Sequence, residues 1–173
     1  YKFSGVQGTG DYTPAAWSAA EADGATNLYR HKDAFYFLPT ENEWVKAAYR
    51  NGTSRQTYST KGDYLPLMGV DSLYRDDPGV TTSIFWSVGS GAEELNGTYD
   101  MVGNTWEWME NSVSGSYDIT AGRVIRGASL NNTAGYITSS DRLATPYLPY
   151  TELYDIGFRV ASVPEPATMS LLA

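Results

Sequence analysis

The chain has 173 residues, of which 42% are apolar and 18% are charged, a composition typical of one globular domain. Twelve basic and 20 acidic residues give a net charge of -8, which argues against nucleic acid or an anionic membrane surface as a partner because both attract basic patches. The sequence has no cysteine and one histidine, His31, so disulfides, thiolate metal sites, thiol nucleophiles and clusters of two histidines are excluded.

The first 40 residues predict short extended pieces within loops. Residues 1–30 are rich in Gly, Ala and Thr with scattered aromatics, and Phe35–Leu38 is a short aromatic strand that Pro39 ends. No run of about 18 apolar residues follows anywhere in the sequence, so we predict no transmembrane helix.

The next segment predicts the clearest helix of the chain, over Glu41–Arg50. Thr40 is its expected N-cap, and Glu43, three residues later, completes a capping box. An apolar face follows at helical spacing: Trp44, Val45, Ala47 and Ala48. The Asn51-Gly52 pair then ends the helix.

Residues 52–98 contain few periodic signals, and a loop of this length in a globular domain is usually functional or fixed by ions. Beyond it, Arg123–Ser129 predicts a short strand. The last segment, Asp155–Ser162, predicts a final core strand with three apolar residues facing inward: Ile156, Phe158 and Val160.

Three Asn-x-Thr triplets begin at Asn51, Asn96 and Asn131. They could accept glycans in a eukaryote. Turn chemistry, in which asparagine side chains bond nearby backbone groups, is the favoured interpretation.

The stretch "YDMVGNTWEWMEN", residues 99–111, places acids and amides among two Trp, one Tyr and two Met. Burying a carboxylate costs several kcal/mol unless it is paired or bound to a metal. Residue types alone leave two interpretations open: a cation site that includes Glu107, or a turn in which Glu107 caps backbone amides.

Four segments occur in a specific order: "FLPTENEWVKAAYRNG", "NGTYDMVGNTWEWMEN", "RVIRGAS" and "DIGFRVAS". Together they resemble the formylglycine-generating enzyme family, also called the sulfatase-modifying-factor family, from Phe35 to Ala161. The resemblance implies an irregular, loop-rich α+β fold related to C-type lectins. It also implies that residues 1–161 form the C-terminal half to two-thirds of such a domain, so we expect an N-terminally truncated fragment.

The resemblance implies a structural calcium ion in the G-N-x-W-E-W segment. Its ligands would be the Asp100 and Glu107 carboxylates and the backbone carbonyls of Gly103 and Thr105, oxygen donors of the kind that calcium prefers. The family's second calcium site falls in residues 52–98, where this sequence departs from the family pattern, so no ligands are assigned.

The family oxidase converts a substrate cysteine to formylglycine with two cysteines and copper. The corresponding positions are Asn132 and Ile137, neither of which can act as a thiolate or a soft copper(I) ligand. Ser129 is kept but has no adjacent histidine to activate it. We therefore expect no copper and no catalytic residues here.

Two functions follow as hypotheses. The favoured one is a non-catalytic surface module that binds glycan or peptide, using the rigid contact area that aromatic side chains offer. The alternative is an enzyme of the sulfatase-modifying type with altered metal-dependent oxidase chemistry. The feature expected to discriminate them is whether four tyrosines line one exposed groove: Tyr136, Tyr147, Tyr150 and Tyr154.

The tail, residues 162–173, contains the sequence V-P-E-P at 163–166. It resembles the start of a PEP-CTERM sorting signal, which implies a truncated C-terminus and a bacterial protein that exosortase-type machinery exports to the cell surface or extracellular matrix. The alternative is an ordinary proline-rich tail, since two prolines fix an extended linker.

Overall fold

The computed structural model describes residues 2–4, 13–15, 17–75, 84–116, 121–143 and 147–162. The elements in chain order are β1 (Lys2–Ser4), β2 (Thr13–Ala15), β3 (Ala22–Asp23), β4 (Asn27–His31), β5 (Tyr36–Phe37), α1 (Glu41–Tyr49), β6 (Arg50–Asn51), β7 (Ser54–Arg55), β8 (Trp106–Ser112), β9 (Arg123–Arg126), a 3-10 helix (Ala134–Ile137), β10 (Ile156–Gly157) and β11 (Ala161–Ser162). The regular elements are short and the segments between them are long, as the α+β, loop-rich prediction requires. Among the described residues, no helix has the length and apolar character needed to cross a membrane.

Strand β8, which carries the W-E-W sequence, lies at the centre of the largest sheet. It pairs antiparallel with β9, with Glu107 opposite Arg126, and parallel with β10, with Gly157 opposite Glu107. The other strands pair two by two: β1 with β2, β3 with β4, β5 with β11, and β6 with β7. Residue 107 therefore lies between two neighbouring strands at the middle of the fold.

Helix α1 confirms the predicted capping box and ends one residue earlier than predicted. Thr40 Oγ1 accepts a hydrogen bond from Glu43 N, and the Glu43 carboxylate accepts one from Thr40 N. Arg50 is extended, so the chain passes directly from the helix into the β6–β7 hairpin. The side-chain nitrogen of Asn96 donates to three carbonyls at this helix end, those of Lys46, Ala47 and Arg50.

The hydrophobic core joins one face of α1 to strands β8 and β9. Trp44 and Tyr49 from the helix are each 1% exposed, and their rings meet edge to face at 5.8 Å between centroids. The strands and the turns beside them contribute Met101, Val102, Trp106, Met109, Val124 and Ile125. The helix and the W-E-W strand thus bury each other's apolar side chains.

The prediction for the last strand is wrong for two of its three inward residues: Ile156 packs against the core, but Phe158 and Val160 do not. Residues 155–162 form two short strands instead of one, and Phe158 and Val160 are 68% and 55% exposed. Between these two exposed residues, the Arg159 side chain points inward and reaches the buried carboxylate of Glu107. Phe158 and Val160, which flank Arg159 between the two strands, are therefore exposed while Arg159 reaches inward.

Two other predicted strands are confirmed in shortened form, as β5 and β9. Residues 52–75 and 84–98 are irregular apart from the β6–β7 hairpin, as predicted. The sorting-signal prediction falls on residues 163–173, which lie outside the described residues.

Candidate functional site

A tight turn at Gly103 and Asn104 ties three segments of the chain together. Both residues have positive φ, 78° and 62°. Gly103 N donates to Gly127 O at 2.7 Å, Asn104 N donates to Leu73 O at 2.7 Å, and Leu130 N donates to Asn104 O at 3.0 Å. A Cβ at position 103 would overlap the Leu73 carbonyl, so only glycine permits this approach.

The Glu107 carboxylate is buried, at 6% exposure, and is held by two side chains. Arg159 Nε donates to Oε2 and Arg159 Nη2 donates to Oε1, each at 2.7 Å, while Trp44 Nε1 donates to Oε2 at 2.6 Å. Burial raises the pKa of Glu107, and the Arg159 cation opposes that rise. The bidentate geometry is the strong form of an arginine–carboxylate pair.

The Asp100 carboxylate organises the loop that precedes it. Its Oδ2 accepts from Gly89 N at 2.6 Å and its Oδ1 accepts from Gly91 N at 3.0 Å. Its backbone carbonyl accepts from Arg159 Nη2 at 2.9 Å. Arg159 therefore contacts both acidic residues expected to bind calcium, one through its side chain and the other through its backbone.

This arrangement does not fit the calcium site that the resemblance implies. Calcium takes six to eight oxygen ligands, but both oxygens of Glu107 already face the guanidinium of Arg159. The ligand set of Asp100, Gly103, Thr105 and Glu107 stays a prediction. The other sequence-based interpretation, a backbone cap by Glu107, does not describe the arginine pair either.

Two further polar side chains of residues 99–111, Glu110 and Asn111, also have protein partners. Glu110 accepts from Arg30 Nη2 at 2.8 Å, and Arg30 also donates to Glu43 at 2.7 Å. Asn111 Oδ1 accepts from Glu41 N at 2.7 Å, next to the start of α1. Sequence reasoning missed both arginines; the signal for Arg159 was a lone cation inside an otherwise apolar final strand.

Asn132, the first position that the resemblance matches to a family cysteine, lies in a hydrogen-bonded turn. Its Oδ1 accepts from Ser129 N at 2.8 Å and lies 2.9 Å from Ser129 Oγ, which is also 2.9 Å from Asp155 Oδ2. Ser129 is fully buried. The one histidine, His31, belongs to β4 and packs against the ring of Trp17, so it is not a neighbour of Ser129.

Ile137, the second position that the resemblance matches to a family cysteine, is a core residue. Its side chain is 0% exposed and belongs to the cluster built on α1 and β8. Its carbonyl accepts from the Tyr49 hydroxyl at 3.2 Å. One position is therefore a polar turn and the other is apolar interior.

Exposed aromatic rings lie beside the Asn132 turn. We define the aromatic patch as Phe85, Asn131 and Tyr154. Asn131 Nδ2 donates to the Tyr154 hydroxyl at 2.8 Å, and the rings of Phe85 and Tyr154 lie 6.3 Å apart, centroid to centroid. The two rings are 38% and 74% exposed.

The Asn104 side chain holds the loop that carries Phe85. The Asn104 side chain accepts from Trp86 N at 3.0 Å and donates to Trp86 O at 3.2 Å. The asparagine of the G-N-x-W-E-W motif thus positions the segment next to Phe85.

The four tyrosines expected in one groove are distributed over different contacts. Tyr154 lines a groove of about 500 Å3 with Trp108 and residues 151–153 and 156. Tyr147 packs against Trp108 and Tyr136 against Trp106, each at 6.5 Å between ring centroids. Tyr150 is 64% exposed.

The comparisons with known proteins agree with this fold. Residues 10–163 match the sulfatase-modifying factor enzyme 1-like domain family, so the chain belongs to that family. No curated protein shows significant similarity to the sequence.

The fold is also similar to those of solved structures. The chain is similar to Treponema denticola variable protein 1, with 26% identity and a TM-score of 0.56 over 75% of this chain and 48% of that one. It is also similar to CarF, with 25% identity and a TM-score of 0.56 over 74% of this chain and 47% of that one. The chain spans about half the length of the solved relatives that it matches.

Proposed function

We propose that this chain is a non-catalytic member of its family that binds a glycan or peptide on the aromatic patch. The observation that carries the proposal is the contrast between two neighbouring features. The family's two thiol positions hold an asparagine in a turn and an isoleucine in the core, while exposed rings lie beside that turn.

The chemistry at the two positions supports the proposal. An amide is not a redox donor, and an alkyl side chain offers copper no ligand. The sequence has no cysteine anywhere else to substitute. Ser129 Oγ has amide and carboxylate oxygens as its neighbours rather than an imidazole, so it lacks the usual base that activates a serine.

The aromatic patch has the features of a recognition surface. Phenylalanine and tyrosine rings provide large contact area at low conformational-entropy cost, and a tyrosine hydroxyl and an asparagine amide add hydrogen-bonding groups. The backbone of Trp86 is fixed by two hydrogen bonds with the Asn104 side chain, one accepted and one donated by it. Such preorganisation reduces the entropy lost when a ligand binds.

A binding screen with paired variants tests this function. We expect a glycan array or a peptide library to contain a ligand that binds saturably. The Phe85→Ala/Tyr154→Ala double variant should lose that binding. Tyr36→Ala is the control: Tyr36 is as exposed as Tyr154, at 69% against 74%, but lies outside the patch, so this variant should keep the binding. Equal affinity of the double variant and the wild type would contradict the proposal.

An activity assay tests the competing function. We expect no formylglycine from a cysteine-containing sulfatase peptide supplied with copper and oxygen. Metal-dependent turnover by protein free of contaminating oxidase would overturn the non-catalytic proposal.

We extend the proposal to location: the protein is exported by a bacterium and sorted by exosortase-type machinery. The support is the V-P-E-P sequence at residues 163–166. Surface labelling of intact cells of the native host, followed by detection with an antibody to the domain, should find the protein labelled. Protein confined to the cytoplasmic fraction would refute the extension.

A further inference from the structure

We propose that a cleft at the end of helix α1 binds an oxyanion, and that three cations, Lys46, Arg50 and Arg55, hold it. The cleft has a volume of about 580 Å3 and is lined by Asn42, Val45, Lys46, Arg50, Gly52 and Arg55. This size is within the usual range for small-ligand sites. The cleft shares no lining residue with the aromatic patch, and the inference is independent of the function proposed above.

The three cations differ from the other exposed cations of the protein. Of the remaining exposed Lys and Arg side chains in the described ranges, Lys32 pairs with Asp33, Lys61 with Glu93 and Arg142 with Glu41. The three cleft cations have no carboxylate partner among the described residues. Among the described residues, exposed positive charge without a carboxylate partner is therefore concentrated at one cleft.

Local geometry forces these charges together. Arg50 and Arg55 lie directly opposite each other in the β6–β7 hairpin, which places their Cβ atoms about 5 Å apart. Lys46 precedes Arg50 by four residues at the helix end, a spacing at which side chains are neighbours. Like charges at both spacings destabilise the structure, so the arrangement is unfavourable unless an anion lies between them.

Ordinary structural roles account for only part of this arrangement. Lys46 is favourable in the last turn of α1, where a cation interacts with the helix dipole. Arg50 Nε donates to Gly52 O at 3.2 Å, which uses one of its five donors. No comparable role accounts for Arg55, which is exposed and directly faces another arginine.

The donor chemistry defines the ligand class. Arginine forks match the paired oxygens of phosphate, sulfate and carboxylate groups. Asn42, four residues before Lys46, adds a side-chain amide that can donate to the same group. The ligand is thus a small molecule with a phosphate, sulfate or carboxylate group, such as a phosphate ester or an acidic sugar.

Calorimetric titration with three probes at low ionic strength tests the proposal. The probes are inorganic phosphate, inorganic sulfate and trigalacturonate. We expect saturable binding of at least one, weakened tenfold or more by Arg50→Gln and by Arg55→Gln. Lys61→Gln removes the same charge from a paired lysine and should leave the affinity unchanged. Binding of phosphate or sulfate alone would assign a tetrahedral group, and binding of trigalacturonate would assign a sugar carboxylate.

A charge reversal gives a second readout that does not depend on the identity of the ligand. Arg55→Glu places a carboxylate opposite Arg50, so it should abolish anion binding and raise the melting temperature of the ligand-free protein. Three results would overturn the proposal: no saturable binding of any probe to the wild type, equal weakening by Lys61→Gln, or a lower melting temperature for Arg55→Glu.

Discussion

The guanidinium of Arg159 forms a bidentate ion pair with the carboxylate of Glu107, with two N–O distances of 2.7 Å. The two residues are 52 positions apart in the chain, and their pairing fastens the last segment of the domain to its central strand. Because Glu107 is buried, its charge depends on this partner for compensation.

Removal of Arg159 should therefore be costly. We expect Arg159→Met to lower the free energy of unfolding by about 3–5 kcal/mol, because it leaves an uncompensated buried carboxylate. Adding Glu107→Gln should recover much of that loss, since glutamine is neutral and still accepts from Trp44 Nε1. Urea unfolding of the two single variants and the double variant measures the coupling.

An exposed pair provides the control for this cycle. Arg142 pairs with Glu41 at 2.9 Å but is 41% exposed, so Arg142→Met should cost less than about 1 kcal/mol. Equal losses for Arg142→Met and Arg159→Met would mean that Glu107 does not need its partner.

Metal removal tests the calcium prediction against the arginine pair. We expect excess EDTA to leave the melting temperature unchanged, because Arg159 already supplies the positive charge at Glu107. A lower melting temperature in EDTA that calcium restores, and that Glu107→Gln abolishes, would instead establish the calcium site, since an ion that binds only the folded state stabilises it.

The stability of the protein should depend on pH through Glu94. This residue is 5% exposed, and burial raises its pKa to about 7 despite hydrogen bonds from Ser59, Thr98 and Met101 N. A carboxyl group with a raised pKa binds its proton more tightly in the folded state. Its contribution to stability is complete below its ordinary pKa of 4.5 and is lost as pH rises through about 7.

The Glu94→Gln variant isolates this contribution. Relative to the wild type, it should gain up to about 3 kcal/mol between the two pKa values, because each pKa unit corresponds to about 1.4 kcal/mol. Chemical unfolding of both proteins across that range gives the difference. A constant difference at all pH values would show that Glu94 titrates normally.

Gly103 should tolerate no side chain. Gly103→Ala combines a positive φ with overlap between its Cβ and the Leu73 carbonyl, and we expect a loss of more than about 3 kcal/mol. Gly69 has nearly the same φ, 77°, with no described atom near a Cβ, so Gly69→Ala should cost only about 1–2 kcal/mol. Melting temperatures of the two variants make the comparison, and equal losses would assign the whole effect to φ.

Local signals predicted the helix well because its determinants are close in sequence. The Thr40–Glu43 capping box and the apolar face that includes Trp44 were both readable from residue types and spacing. The polar character of residues 99–111 also predicted correctly that buried carboxylates there need partners.

The identity of those partners could not be predicted in the same way. Arg159 and Arg30 are distant in sequence from Glu107 and Glu110, and alternation alone favoured Phe158 as the inward residue. A single charge pair overrode the hydrophobic pattern of the last segment, because an unpaired buried carboxylate costs more than leaving two apolar side chains in water.

The hydrogen bonds of Asn96 at the C-terminal end of helix α1 have a consequence for the choice of expression host. Asn96 begins an Asn-Gly-Thr triplet, and a eukaryotic secretory pathway attaches sugar to the side-chain nitrogen of asparagine in such triplets. In this protein the same nitrogen donates to three carbonyls at the helix end. A sugar there would take one of its two hydrogens and add bulk where the amide must fit, so secretion from yeast or animal cells would yield a less stable product than bacterial expression.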